Sequence, residues 1–217
     1  MWISIKIVIT QNDNIIKNIV KATNNQTEVQ EIQLLSMDEY QEELESFYNS
    51  YDVYTQLYYE RRDGQYRDRP DVDSSKIVNP ELQMKCFASV FLHSPHIASR
   101  FVGKLQEEIS KKIFVNDHKP IMYYASSFLN YTLENAFKND IIEQQYYKFK
   151  FHIEMLIAHL IWRDEKTPPA NSRKIEEYCT MLLNKVNDEA TFLSLLEKAK
   201  ECILSVVKDI NNTEANK

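Results

Sequence analysis

The stretch from Tyr58 to Arg69 holds the densest chemistry in the chain. It sets Arg61, Arg62, Arg67 and Arg69 among Tyr58, Tyr59, Gln65 and Tyr66. A guanidinium is a planar fork of donors that matches a phosphate, and a tyrosine ring gives a base a face to stack on. Glu60, Asp63 and Asp68 are interleaved, so the same stretch also reads as a loop whose charges pair internally. Arg61, Arg62, Gln65, Tyr66 and Arg67 are therefore candidate nucleic-acid or anion contacts. Asn24, Asn25 and Gln26 form a second polar cluster, since their amides can read an adenine edge. They also suit the end of a helix, where Asn tolerates the left-handed conformation. His96 and Arg100 stand one turn apart behind Pro95, where a helix start and two cationic side chains can receive an anion. They serve equally well as a link between helices, with Asp117 as partner.

Other chemistries find weaker support. Asp71 and Asp117-His118-Lys119 loosely resemble the carboxylates and lysine of a metal-dependent nuclease, but no glutamate-x-lysine pair occurs in the chain. Pro95 lies between His93 and His96, which spoils their spacing as metal ligands, and the histidine-glutamate-x-x-histidine pattern is absent. Neither Gly64 nor Gly103 belongs to a phosphate-binding loop, and no glycine flanks a serine as a nucleophile elbow requires. No metal or cofactor is expected, no catalytic residue is assigned, and catalysis by this chain alone is not expected. The net charge of -6 excludes a polycation, so nucleic-acid binding must use a local patch.

Helices must position these residues. Gly and Pro are scarce, at 2 and 6 residues, which disfavours turn-rich β folds. Isoleucine and valine predict a strand over residues 2–9, followed by a helix from about Asn14 to Lys21. Apolar spacing predicts further helices over residues 36–49, from Pro80 to the break at Pro95, and over 96–112, 120–138, 141–162, 172–186 and 188–210. Residues 61–73 lack periodicity and read as a loop. The expected fold class is α+β, predominantly helical, with a short N-terminal strand–helix lobe followed by a multi-helix bundle. The expected divisions are a partial lobe at 1–55, a helical core with the Arg/Tyr-rich loop at 56–166, and a C-terminal helical hairpin at 167–217. Cys86, Cys179 and Cys202 read as reduced core thiols, which places the protein in the cytoplasm. The first ten residues are too short for a membrane span and lack a cleavage-like region. A lone strand at 2–9 leaves backbone groups unpaired, so a preceding region or a companion chain is expected to pair with it.

Several segments, in this order, resemble the AIPR family (abortive infection, phage resistance). They are residues 5–9, the helix from Asn14, Ala22 to Val29, Tyr58 to Tyr66, Phe91 to Arg100, Gly103-Lys104, Ile113 to His118, and Tyr123-Tyr124. The resemblance spans about residues 3 to 162 and implies a C-terminal portion of a longer bacterial defence protein. Family members usually carry a preceding asparagine-glycine-x-glutamine-threonine signature, often behind a restriction-endonuclease-like module. The strand, helix and Asn24–Gln26 segment also looks like the superfamily that includes DGQHR and ParB-like domains. That likeness implies that Asn24, Asn25 and Gln26 line a cleft, with the Arg61–Tyr66 loop as its basic wall. Lys104, Asp117 and His118 complete the candidate set. Nucleic-acid engagement is the leading expectation, assembly within a complex or homo-oligomer the second, and a nuclease fragment the third.

Overall fold

The computed structural model describes residues 39–99, 108–163 and 166–215, with Thr10, Ile15 and Ile19 ahead of them. The expected strand at 2–9, together with Asn24, Asn25, Gln26, Arg100 and Lys104, lies outside the described residues. The predominantly helical α+β fold is borne out: a two-stranded sheet precedes a helix bundle.

Helix α1, Glu39–Tyr48, buries Tyr40, Leu44 and Tyr48 at fourfold spacing. Strand β1, Tyr58–Tyr59, pairs in parallel with β2, Ile77–Val78, with Tyr58 opposite Ile77 and Tyr59 opposite Val78. Parallel neighbours need a crossover connection. Here the crossover is the arginine-rich stretch, which is consequently tied down at both ends. Two-residue strands are too short to show an alternation, so the sequence held no signal for them.

Helix α2, Pro80–Val90, starts where expected. The Asn79 side chain accepts from the Leu82 amide at 2.8 Å, and proline occupies the first turn. The chain breaks after Phe91, turns at His93 with φ of 48°, and forms the short α3, Pro95–Ala98. Of the helix expected over 96–112, Glu108 and Ile109 are helical and Ser110–Lys112 form a 3-10 turn. Ile113 is extended, and Phe114 is left-handed with φ of 54°.

Helix α4, Pro120–Lys138, is the centre of the bundle. It packs on α1, on α2, on α5 (Lys150–Trp162) and on α6 (Arg173–Asn187). Its burial on several sides explains why its aromatics run around the helix. The single helix expected over 141–162 divides into a 3-10 segment, Gln144–Phe149, and α5. The Gln144 side chain turns back to donate to the Phe137 carbonyl at 2.8 Å, closing the end of α4. Apolar spacing over six residues does not separate this tighter winding from an α-helix.

Helix α6 is capped by Ser172, which accepts from the Ile175 amide at 3.2 Å. Asp188 then caps α7, Glu189–Ala215, through the Thr191 amide at 2.9 Å. Phe192, Leu196, Ala199 and Ile203 form the stripe that α7 buries. Cys202 corrects the sequence reading. It lies beside that stripe and is exposed, whereas Cys86 and Cys179 are buried thiols. Helix α7 packs against α5 and α6 alone among its main contacts, so a residue one step off the stripe meets solvent.

The core is apolar but carries a hydroxyl-rich seam. Tyr48 donates to Gln83 Oε1 and lies 3.0 Å from Ser127 Oγ, while Gln83 Nε2 donates to the Tyr123 carbonyl at 3.1 Å. These satisfied polar groups fix the register between α1, α2 and α4.

Candidate functional site

The crossover loop is a built structure. Successive turn bonds join Gln65 to Arg62, Arg67 to Gly64, and Arg69 to Tyr66 at 3.0 to 3.1 Å. Gly64 has φ of 73°, a conformation that favours glycine, and a Cβ there would meet the Arg67 guanidinium at 3.2 Å. Three of the expected contact residues hold the loop in place. The Arg61 side chain is largely buried and bonds to Glu45 at 2.9 Å and to Glu42 at 3.5 Å. Gln65 donates to Glu45 as well, and its Oε1 accepts from the Arg62 amide at 3.2 Å. Tyr66 reaches the Tyr59 carbonyl at 3.5 Å and packs edge-on against Tyr58. Arg69 forms a two-pronged pair with Asp71 at 2.8 and 2.7 Å, which pulls the Asp71 carboxyl down to about 2. That leaves Arg62 and Arg67. Both are exposed, and neither has a carboxylate partner among the described residues.

His118 and Asp117 belong to a different place. They line a cavity of about 550 Å³, with Phe87, Phe91 and Met122 on its apolar side and Lys111 and Lys112 at its rim. The His118 ring stacks on Phe87, with centroids 5.2 Å apart and planes 13° apart. Its Nδ1 lies 2.9 Å from the Tyr123 hydroxyl, which also accepts from the Phe114 amide at 2.6 Å. Burial lowers the His118 pKa below the usual imidazole value, with Asp117 acting in the opposite direction.

Tyr40 donates to the His118 carbonyl at 2.9 Å. Tyr40 and the pair Glu42 and Glu45 project from opposite sides of α1, given about 3.6 residues per turn. The Arg62–Arg67 loop and the His118 cavity thus flank α1 on separate sides. His96 is exposed on α3, close enough to His152 to help burial keep that imidazole's pKa low. The structure brings Arg61, Gln65 and Tyr66 together as anchors and Asp117 with His118 as cavity lining, without merging the two sets.

A third feature went unread in the sequence. Glu154 of α5 is fully buried, and Asn130 donates to its Oε1 at 2.5 Å. Its Oε2 has no hydrogen-bond partner among the described residues. Burial raises the Glu154 carboxyl to about 8, against the opposing pull of Lys150 and Asn130. Burial also opposes the charge on Lys150, yet Glu154 and Glu134 together hold that pKa above its ordinary value. At neutral pH Glu154 is mostly protonated, so Glu134 supplies the counter-charge through its ion pair with Lys150. The available signal was one carboxylate inside the apolar run 150–162.

Among the described residues, no three His, Cys, Asp or Glu side chains gather where one metal ion could bind them. No described helix is long and apolar enough to cross a membrane.

The fold and these features define a mainly helical protein with a braced arginine loop on one side of α1 and a small cavity on the other. The chain belongs to the AIPR family: the family model described as AIPR protein matches residues 1–215. Its general setting is accordingly anti-phage defence. The comparison with curated proteins gave no match, and neither did the comparison with solved structures.

Proposed function

We propose that this chain contributes a nucleic-acid-engaging surface to a cytoplasmic anti-phage defence protein, without complete catalytic machinery of its own. Arg62 and Arg67 are its phosphate contacts. The observation that carries this reading is their exposure, without carboxylate partners among the described residues, on a loop that Arg61, Gln65 and Tyr66 hold against Glu45 and Tyr59. A braced loop loses little entropy when its guanidiniums meet phosphates. Asn24, Asn25, Gln26, Arg100 and Lys104 are further contacts in the same reading.

Fluorescence anisotropy tests it, with labelled duplex DNA, single-stranded DNA and duplex RNA presented in turn to the purified chain. Charge reversal at both sites, Arg62→Glu with Arg67→Glu, is expected to weaken binding by tenfold or more, about 1.4 kcal/mol. Undiminished binding by a folded double variant refutes the assignment.

One observation favours assembly as a second reading. Tyr54 is 87% exposed beside Val53 at 66%, and both are held on a turn where Asp52 accepts from the Tyr54 and Thr55 amides. A presented tyrosine with an apolar neighbour suits a protein contact. Sedimentation that reports a monomer at all concentrations, in the wild type and in Tyr54→Ser alike, rules out self-association through it.

A further inference from the structure

We propose that the cavity between α4, β2 and the 3-10 segment Gln144–Phe149 binds a small uncharged sugar, with Asn130 as its buried anchor. This inference does not rest on the Arg62–Arg67 surface, which shares no residue with the cavity.

A polar stripe on α4 carries the argument. Asn130, Glu134 and Lys138 recur every four residues, so they share one face of the helix that forms the centre of the bundle. That face lines a cavity of about 450 Å³. Asn130 is only 3% exposed, and one end of its amide is engaged by Glu154. The other end has no hydrogen-bond partner among the described residues and is not sealed in the core, so it reaches the cavity. Glu134 repeats the pattern one turn on. Its Oε1 accepts from Lys150 and, at 3.2 Å, from the Tyr147 hydroxyl, while its Oε2 has no hydrogen bond among the described residues. The half-buried Tyr131 hydroxyl and Asn135 amide, on the same wall, are likewise without side-chain hydrogen bonds among the described residues. A half-engaged buried amide is a cost that a hydrogen-bonding ligand offsets.

Charge balance selects the class of ligand. With Glu154 mostly protonated at neutral pH, the charges of Glu134 and Lys150 cancel. Lys138, the other cation at the cavity, faces Asp73: the Ser75 hydrogen bonds hold that carboxyl below its ordinary value, and Lys138 adds to the effect. An anion would meet Glu134 there, and a cation would meet Lys138 and Lys150. A hydroxyl both donates and accepts, so neighbouring hydroxyls on one ring satisfy a carboxylate oxygen, two amides and a phenol together. Half-buried Ile77 and Leu82 on the opposite wall give the C–H edges of such a ring an apolar surface. The volume is in the range that encloses a small ligand.

The side-chain amide of Asn130 is its own reporter in ¹H–¹⁵N correlation spectra of the full chain. The probes are D-ribose, D-glucose and maltose, with glycine, acetate and methylammonium as a zwitterion, an anion and a cation of small size. The expected result is saturable movement of the Asn130 amide signal with at least one sugar, and an affinity about tenfold or more above that for any of the three charged probes. Because the ligand is uncharged, that affinity is expected to withstand a tenfold rise in salt. Asn135→Ala and Tyr131→Phe each remove one hydrogen-bonding group from the half-buried wall, and each is expected to weaken binding about fivefold. The proposal is overturned if no sugar moves the Asn130 signal saturably, which leaves the cavity to water. It is overturned equally by a charged probe that binds as tightly as the best sugar, or by an unchanged affinity in both folded variants. None of those failures touches the binding test of Arg62 and Arg67, where affinity falls as salt rises.

Discussion

Glu154 gives stability an unusual pH dependence. Its carboxyl titrates at about 8 in the fold against an ordinary value of 4.5. The folded chain therefore holds a proton that the unfolded chain releases throughout that interval. Folding is favoured at the acid end and weakens as pH rises, levelling off above about 8. One pKa unit corresponds to about 1.4 kcal/mol, so the group's contribution falls by roughly 3 kcal/mol between pH 5 and pH 8. Glu154→Gln keeps the shape and the contact with Asn130 but cannot ionise. Urea unfolding of both proteins at unit steps from pH 5 to pH 9 measures the difference. The variant is expected to match the wild type near pH 5 and to exceed it by a few kcal/mol at pH 8 to 9. Other titrating groups are common to both proteins and cancel. A difference that stays constant across that range means that Glu154 ionises normally, and the account of the α2–α4–α5 contact fails with it.

Three further changes probe the loop and the seam. Gly64→Ala forces a side chain into a φ of 73° and against Arg67, so it is expected to destabilise by about 1–2 kcal/mol and to weaken nucleic-acid binding. A thermal midpoint and anisotropy curve equal to wild type would remove the case for a braced loop. Glu45→Ala releases Arg61 and Gln65 together, and trypsin is expected to cut after Arg62 and Arg67 faster than in the wild type, whereas an unchanged rate contradicts their anchoring role. Tyr48→Phe removes a hydroxyl from Gln83 and Ser127 and is expected to cost about 1–2 kcal/mol in denaturant unfolding, with no change in ligand binding.

Much of the helical frame was legible because it rests on local rules. Asn79-Pro80 and Ser172 cap helices through short-range bonds, and α6 shows its stripe of Ile175, Cys179, Leu182 and Val186 in the sequence itself. The candidate sites were less legible, because type and spacing reveal which residues can bind an anion but not what already occupies them. Arg61 and Arg62 are neighbours of the same type, yet one is spent on Glu42 and Glu45 from α1 while the other faces solvent. Only the long-range placement of α1 against β1 decides between them. The setting of His118 likewise depends on Tyr123, five residues away on α4, and on a left-handed turn at Phe114 that no sequence pattern announces. Glu154 shows the reverse case. Its local setting was visible as a carboxylate in an apolar run, but its consequence depends on its burial and on Asn130 across the helix contact, with Lys150 one turn back on α5.

The salt dependence of nucleic-acid binding tests the central claim most directly. Each phosphate neutralised by a cationic side chain contributes about 0.9 to the slope of log affinity against log salt on duplex DNA, and about 0.7 on a single strand. With Arg62 and Arg67 as phosphate contacts, replacing both with alanine is expected to reduce that slope by about 2 on duplex, alongside weaker binding. A slope that stays the same in the folded double variant contradicts the account.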